Sequence, residues 1–221
     1  MGIITTNTTF NGIHITSKSQ NNLTQNLVTW YPLNGDTLDY SGNNDATNFG
    51  AISSNDYYIF DGVNDYMSCN TTFYNDESSF TASSWFYTRA INERSEILDE
   101  YPADGSPNYR SIIGYDIDGR FHTLLGGVNN KLDHVMSAYK WYFGAITFNL
   151  STGTVQLHLY DENQHIESKS FSSVSPEHNI ITSIGRHGIS NYFDGYIRDI
   201  RIYDTNVTNG FLDSIHTSTN T

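Results

Sequence analysis

From residue 27 onward the chain reads as short runs in which apolar and polar residues alternate, separated by clusters of Asn, Asp, Gly and Ser. A period of two sends successive side chains to opposite faces of an extended strand, so the runs predict strands and the clusters predict turns. In Phe80 to Tyr87 the alternation sets Phe80, Ala82, Ser84 and Phe86 on one face and Trp85 and Tyr87 on the other. Ile112 to Tyr115 and Arg120 to Leu125 flank Asp116-Ile117-Asp118-Gly119, which predicts a hairpin. Val155, Leu157 and Leu159 alternate with Gln156, His158 and Tyr160, and Asp161 to Gln164 turn the chain into Ile166 to Phe171. Only Thr208 to His216 has helical spacing: Thr208 offers a cap, and Phe211, Leu212 and Ile215 fall on one stripe. The pattern predicts an all-β sandwich of two packed antiparallel sheets, about five to seven strands each, with one short C-terminal helix.

One strand breaks phase. Ile200 and Ile202 point one way, and Ile197 also reads as buried but lies one residue out of step. A β-bulge near Arg198-Asp199 resolves the mismatch and directs Asp199 away from the core. Residues 1–26 differ from the rest, being rich in Thr, Asn and Ser with a single strand-like patch, Phe10 to Ile15. Such a segment has too little apolar surface to order itself. The reading is therefore a polar N-terminal arm over 1–26, which either adds a strand to the sandwich edge or docks on a neighbouring subunit, and one sandwich domain over 27–221.

Composition narrows the partners. Asp plus Glu total 24 against 11 Lys plus Arg, a formal charge of −13. So acidic a surface repels phosphate backbones and anionic lipid, which argues against nucleic acid as a partner, and metal cations suit it better. The lone Cys69 excludes an intramolecular disulfide and reads as a buried small hydrophobe. No apolar run is long enough to span a membrane, and no signal peptide is seen. Asn-x-Ser/Thr triplets at Asn7, Asn22, Asn70, Asn149 and Asn206 are what a chain rich in Asn and Thr produces by chance, and Gly2 formally fits a permissive acylation pattern.

Three segments carry a family resemblance. Trp30-Tyr31-Pro32-Leu33-Asn34-Gly35, then Phe60-Asp61-Gly62-Val63-Asn64-Asp65-Tyr66, then Gly195-Tyr196-Ile197-Arg198-Asp199-Ile200-Arg201-Ile202-Tyr203, with Ser84-Trp85 between, match in order and spacing. Together they resemble the laminin-G-like branch of the concanavalin A-like lectin/glucanase superfamily over residues 27 to 216. The resemblance implies a jelly-roll sandwich, and because that fold hosts many activities it implies no single function. It also implies one structural calcium ion, with Asp199 as carboxylate ligand and the neighbourhoods of Gly35 and Asp61 supplying carbonyl oxygens. Calcium takes six to eight oxygen ligands, so one carboxylate with carbonyls and water is reasonable chemistry. The alternative is that Asp199 caps a turn or pairs with Arg201 or Arg186. Arg198 stands where related chains often carry a second acid, and a cation there weakens calcium binding.

Glycosidases of this fold place three acids at alternate positions of one strand. The nearest stretch is Glu96-Ile97-Leu98-Asp99-Glu100, where simple alternation puts Glu96 and Glu100 on one face and Asp99 on the other. The expectation is therefore no catalysis, with these acids exposed on an edge strand; no HExxH pattern accompanies the histidines. Sugar rings stack on aromatic faces, and Trp85 and Tyr87, with Tyr109, Tyr115, His122 and Tyr160 on neighbouring strands, offer such faces. The candidate glycan-binding residues are Trp85, Tyr87, Tyr115 and His122; Trp141 reads as a core or sheet-covering ring, and Trp85 and Tyr87 share that alternative. The reading is a non-catalytic, carbohydrate-binding module at a cell surface, outside the cell or on a virus or phage particle. The alternative is a structural component of a virion, acting through protein contacts made by residues 1–26.

Overall fold

A computed structural model describes residues 8–10, 13–15, 22–42, 44–69, 78–101, 110–125, 128–172, 181–188 and 190–220. The strands in the first half are β1 (Thr8–Phe10), β2 (Ile13–Ile15), β3 (Leu27–Tyr31), β4 (Thr47–Phe49), β5 (Ile52–Ser53), β6 (Tyr58–Asp61), β7 (Tyr66–Cys69), β8 (Phe80–Thr88) and β9 (Ser95–Tyr101). They continue with β10 (Arg110–Tyr115), β11 (Arg120–Leu125), β12 (Val128–Val135), β13 (Lys140–Asn149), β14 (Thr154–Asp161) and β15 (His165–Ser172). The last are β16 (Ile181–Ile184), β17 (Arg186–His187), β18 (Ser190–Tyr192) and β19 (Asp194–Tyr203), followed by the helix α1 (Asn209–Thr219). Among the described residues no helix is long and apolar enough to cross a membrane.

Two antiparallel sheets form the body. One has seven strands in the order β12-β11-β10-β9-β16-β7-β4, and the other has eight in the order β15-β14-β13-β8-β19-β6-β5, with β3 also paired to β19. The second sheet exceeds the expected count because the ten-residue β19 is long enough to carry β6 along its first half and β3 along its second. Strand alternation decides what lies between the sheets: Phe80, Ala82 and Phe86 from β8 and Val155, Leu157 and Leu159 from β14 join Met67, Leu98 and Phe121 in the main core. Each of the large side chains taken out of water contributes roughly 1.5–3 kcal/mol, which makes this layer the main source of stability. Cys69 is buried there, accepts the Tyr31 hydroxyl at 3.1 Å, and burial pushes its thiol up to about 12.

The bulge expected in the last strand is present. Arg198 pairs with Trp85 and Arg201 with Ser83, so Asp199 and Ile200 together face Ser84, and Ile197, Ile200 and Ile202 all enter the core. The C-terminal helix also forms where its stripe predicts, capped by the Thr208 side chain accepting from the Phe211 amide. It lies on the outer face of the eight-stranded sheet, where Leu212 and Ile215 close a second apolar cluster over Trp85, Phe143, Tyr160 and Tyr203. In the arm, β1 pairs with β2, and among the described residues neither joins the two large sheets.

Candidate functional site

Three strands of the eight-stranded sheet, with the residue that precedes a fourth, bring aromatic rings together on the half of its outer face beside the helix. Phe86, Tyr142 and Ile197 point into the main core, so their neighbours Tyr87, Trp141 and Tyr196 point outward. Register sets these three side by side: Trp141 is opposite Tyr87, and Tyr87 is opposite Tyr196. Tyr57, just before β6, completes the group. Tyr196 stacks on Tyr57 at 4.8 Å and on Tyr87 at 4.9 Å, and Trp141 leans across them at 5.7–6.2 Å. All four are half-buried.

What distinguishes this cluster is its polar ends. The buried tyrosines spend their hydroxyls inside the protein: Tyr58 on Gly35 O, Tyr115 on Ala90 O, Tyr160 on Asp213 and Tyr203 on Leu23 O. Trp30 and Trp85 likewise donate their indole N–H groups, to Asp199 and Thr219. The hydroxyls of Tyr57, Tyr87 and Tyr196 and the Trp141 N–H have no such partner among the described residues, yet none is sealed from solvent. Two guanidinium groups frame the rings. Arg89 lies 5.7 Å from the Tyr196 centroid and is paired to Asp194 at 2.6 Å, while Arg198 lies over Trp141 at 4.9 Å. The stacked tyrosine faces are covered by one another, so the group presents ring edges, hydroxyls and the tilted indole.

The residues singled out from the sequence are scattered by comparison. Tyr87 is in the cluster, but Trp85 is fully buried, because α1 packs on it: its ring stacks on His216 at 5.2 Å. It cannot meet a ligand, and its covering role is the one that holds. Tyr115 is also lost to the surface, since β10 turns it into the core against Phe193. His122 is on the other sheet, fully buried, with Nδ1 at 2.9 Å from Asn129 and Nε2 at 3.2 Å from Glu96. Tyr160 lies under α1, and Tyr109 falls outside the described residues. Trp141, Tyr57 and Tyr196 were not singled out as ligands, although Tyr196 and Arg198 carry the outward phase of β19.

The acidic strand needs correction too. Opposite β10, Gly114 pairs with Glu96 and Ile113 with Leu98, so Ile97 is an extra residue and both Ile97 and Leu98 face the core. The bulge puts Glu96 and Asp99 on one face, against simple alternation. Nor is the strand an exposed edge: β9 is the middle strand of seven, and Glu96, Asp99 and Glu100 are 0–1% exposed. Gly114 is needed here because any side chain would strike the Glu96 carboxylate. Arg94 reaches Glu96 at 2.7 Å, and β17 lays His187 over the pair, 3.4 Å from Asp99 and 3.8 Å from Glu96. Burial, above all, lifts the Asp99 carboxyl to about 6. Burial disfavours charge on His187 as well, but the Asp99 and Glu96 carboxylates override it and hold the imidazole above its ordinary value.

The residues set out for calcium do not form one shell. Asp61 pairs with Asp194, five residues before Asp199 on β19, which is on the order of 15 Å of strand. Asp61 caps its own turn through the amides of Val63, Asn64 and Asp65. The Gly35 carbonyl accepts from Ser53 and Tyr58. Asp199 Oδ1 is taken by Trp30 and by Arg201 at 3.0 Å, which leaves Oδ2 alone as a buried acceptor beside a guanidinium. That donor set does not fit an ion needing six or more oxygens.

Residues 61–210, well over half of the chain, match the family model described as the concanavalin A-like lectin/glucanases superfamily. The chain belongs to that superfamily. As a member, it is also similar in fold to the receptor binding domain of botulinum neurotoxin C/D mosaic serotype: TM-score 0.66, 14% identity, 88% of this chain and 52% of that one. A second similar structure concerns botulinum neurotoxin type C, whose cell entry is described as dependent upon interaction with two ganglioside molecules (TM-score 0.66, 14% identity, 90% and 52% covered). A third is a mutant of Trypanosoma rangeli sialidase displaying trans-sialidase activity (TM-score 0.67, 14% identity, 89% and 34% covered). This superfamily member spans about half the length of the toxin domains it matches. No curated protein sequence matches it.

Proposed function

We propose that this domain is a carbohydrate-recognition module that binds glycans without turning them over, through Tyr57, Tyr87, Trp141 and Tyr196. The observation that carries the reading is that these four rings gather in a half-buried cluster whose hydroxyls and N–H find no partner among the described residues, whereas buried tyrosines and the other two tryptophans bond internally. A sugar offers both halves of the complement, apolar C–H surface for the tilted indole and the ring edges, and hydroxyls for the phenols. Membership of a superfamily containing lectins supports the class, as does the ganglioside dependence stated for the type C toxin. Another similar toxin domain is described in complex with rat synaptotagmin II, so fold alone does not separate glycan from protein ligands. Turnover is not proposed, because Glu96 and Asp99 are closed from solvent beneath β17.

A second reading, display on a virus particle or cell surface, rests on residues 1–26, where the β1–β2 pair extends neither sheet. Deleting 1–21, which spares the Leu23 and Asn26 carbonyls used by Tyr203 and Asp204, tests it through loss of incorporation into particles. The main reading is tested on a broad glycan array with wild type, Trp141→Ala and Tyr196→Phe. Loss of a stacking ring costs on the order of 1–3 kcal/mol by analogy with base stacking, so Trp141→Ala weakens any bound glycan by about 5- to 150-fold. Tyr196→Phe, which removes only the hydroxyl, weakens it less. Unchanged binding in both variants, or an empty array, would remove the reading.

A further inference from the structure

A polar cleft adjoins the aromatic cluster. Tyr142 pairs with Asp161, so the turn that begins at Glu162 lies directly across from Trp141. That turn and the end of α1 enclose a cleft of about 440 Å³, lined among others by Tyr160, Glu162, His165, Asp213, His216 and Asn220. Its volume falls in the usual range for small-ligand sites, roughly 300–1,000 Å³. The floor is a ring pair, Tyr160 on His216 at 4.9 Å, with the His165 ring edge-on to Tyr160 at 4.9 Å. His216 is fixed by donating from Nε2 to the Asp161 carbonyl at 2.8 Å, and Tyr160 by donating to Asp213 Oδ1 at 3.0 Å. The Glu162 carboxylate and Asp213 Oδ2 accept no hydrogen bond among the described residues. Arg198, over Trp141 at 4.9 Å, lies within the fields of Asp199, Asp56 and Glu162.

We infer that cluster and cleft form one continuous site for an uncharged oligosaccharide, with one sugar against the tilted indole of Trp141 and the edges and hydroxyls of Tyr57, Tyr87 and Tyr196, and the next in the cleft. The inference rests on the proposed carbohydrate recognition and adds the ligand's charge and minimum length. Charge follows from the lining. The cleft contributes two carboxylates and no lysine or arginine, Arg89 is paired to Asp194, and the charge of Arg198 is opposed by the fields of Asp199, Asp56 and Glu162. An acidic sugar would therefore meet repulsion, reinforced by the net charge of −13. Carboxylates left as acceptors suit hydroxyl donors. Length follows from adjacency, since neighbouring strands are about 4.8 Å apart and a ligand seated on Trp141 needs only one further unit to reach Glu162.

The test is calorimetric titration of the full chain with uncharged oligosaccharides of one to six units from the glucan, mannan and chitin series, alongside oligogalacturonides as the anionic counterpart. Expected are an affinity that rises tenfold or more from one unit to three, no binding of the anionic chains, and loss of that gain in Asp213→Asn and Glu162→Gln with single-unit binding unchanged. Asparagine at 213 can still accept from Tyr160, and matching thermal melts confirm that both variants fold. Length-independent affinity, a preference for the anionic series, or cleft variants that bind like wild type would overturn the inference and leave the aromatic cluster standing. Trp141→Ala binding the series like wild type, or no binding of any series, would overturn the carbohydrate reading and this inference with it.

Discussion

Replacing Asp99 by Asn should make the protein relatively more stable as pH rises, although it deletes one member of an ion pair. Asp99 is fully buried, its Oδ2 receives the Gly188 amide at 2.9 Å and faces His187, and its Oδ1 has no hydrogen-bond partner. Burial, with the Glu96 charge, outweighs His187 and the amide, so the carboxyl ionises at about 6 instead of 3.8. A carboxyl raised in the fold is held protonated there at a pH where the unfolded chain has already lost its proton. Its contribution to stability is therefore complete below the unfolded value and falls away as pH rises through about 6. Between pH 4 and 6.5 the loss amounts to about 2–3 kcal/mol. Asparagine keeps an acceptor for Gly188 and cannot ionise, so urea unfolding across this range should show the variant gaining about that much over wild type. His187 acts in the next window: its raised value adds stability that is complete below about 6.5 and is lost above it, and His187→Asn should flatten that later decline. A difference between Asp99→Asn and wild type that stays flat or falls from pH 4 to 6.5 would refute the buried-carboxylate reasoning.

Trp85→Ala, by contrast with Trp141→Ala, should be a stability variant: emptying a fully buried site under α1 and removing the bond to Thr219 costs about 3–5 kcal/mol in denaturant unfolding, and a loss under 1 kcal/mol would contradict the packing of the helix. For the metal, excess calcium followed by EGTA should leave thermal unfolding unchanged in wild type and in Asp199→Asn alike, whereas a calcium-dependent rise in Tm that Asp199→Asn abolishes would establish the site that the donor set does not support.

Much of the architecture was legible because it is local. The alternation along β8 and β14, the cap at Thr208 and the stripe on α1 are each written within a dozen residues, and the β19 bulge could be read from Ile197 standing out of step with Ile200. The β9 bulge left the same kind of trace, two adjacent apolar residues, Ile97 and Leu98, between Glu96 and Asp99. Reading that strand by strict alternation separated acids that in fact share a face. The aromatic cluster was not legible, because the rings come from strands far apart in the chain and meet only through the order β13-β8-β19-β6. For the same reason Trp85 and Tyr87, on one strand face, gave no hint that α1 would cover the first and leave the second half-open.

The indole N–H groups allow the central claim to be observed directly. The chain has three tryptophans; Trp30 and Trp85 donate to Asp199 and Thr219, and the Trp141 N–H has no partner among the described residues. In a proton–nitrogen correlation spectrum of the uniformly labelled protein, with the three indole signals assigned by Trp→Phe variants, an array-identified glycan should shift the Trp141 signal saturably and leave Trp30 and Trp85 in place. Saturable glycan binding that leaves the Trp141 signal unmoved would contradict the account.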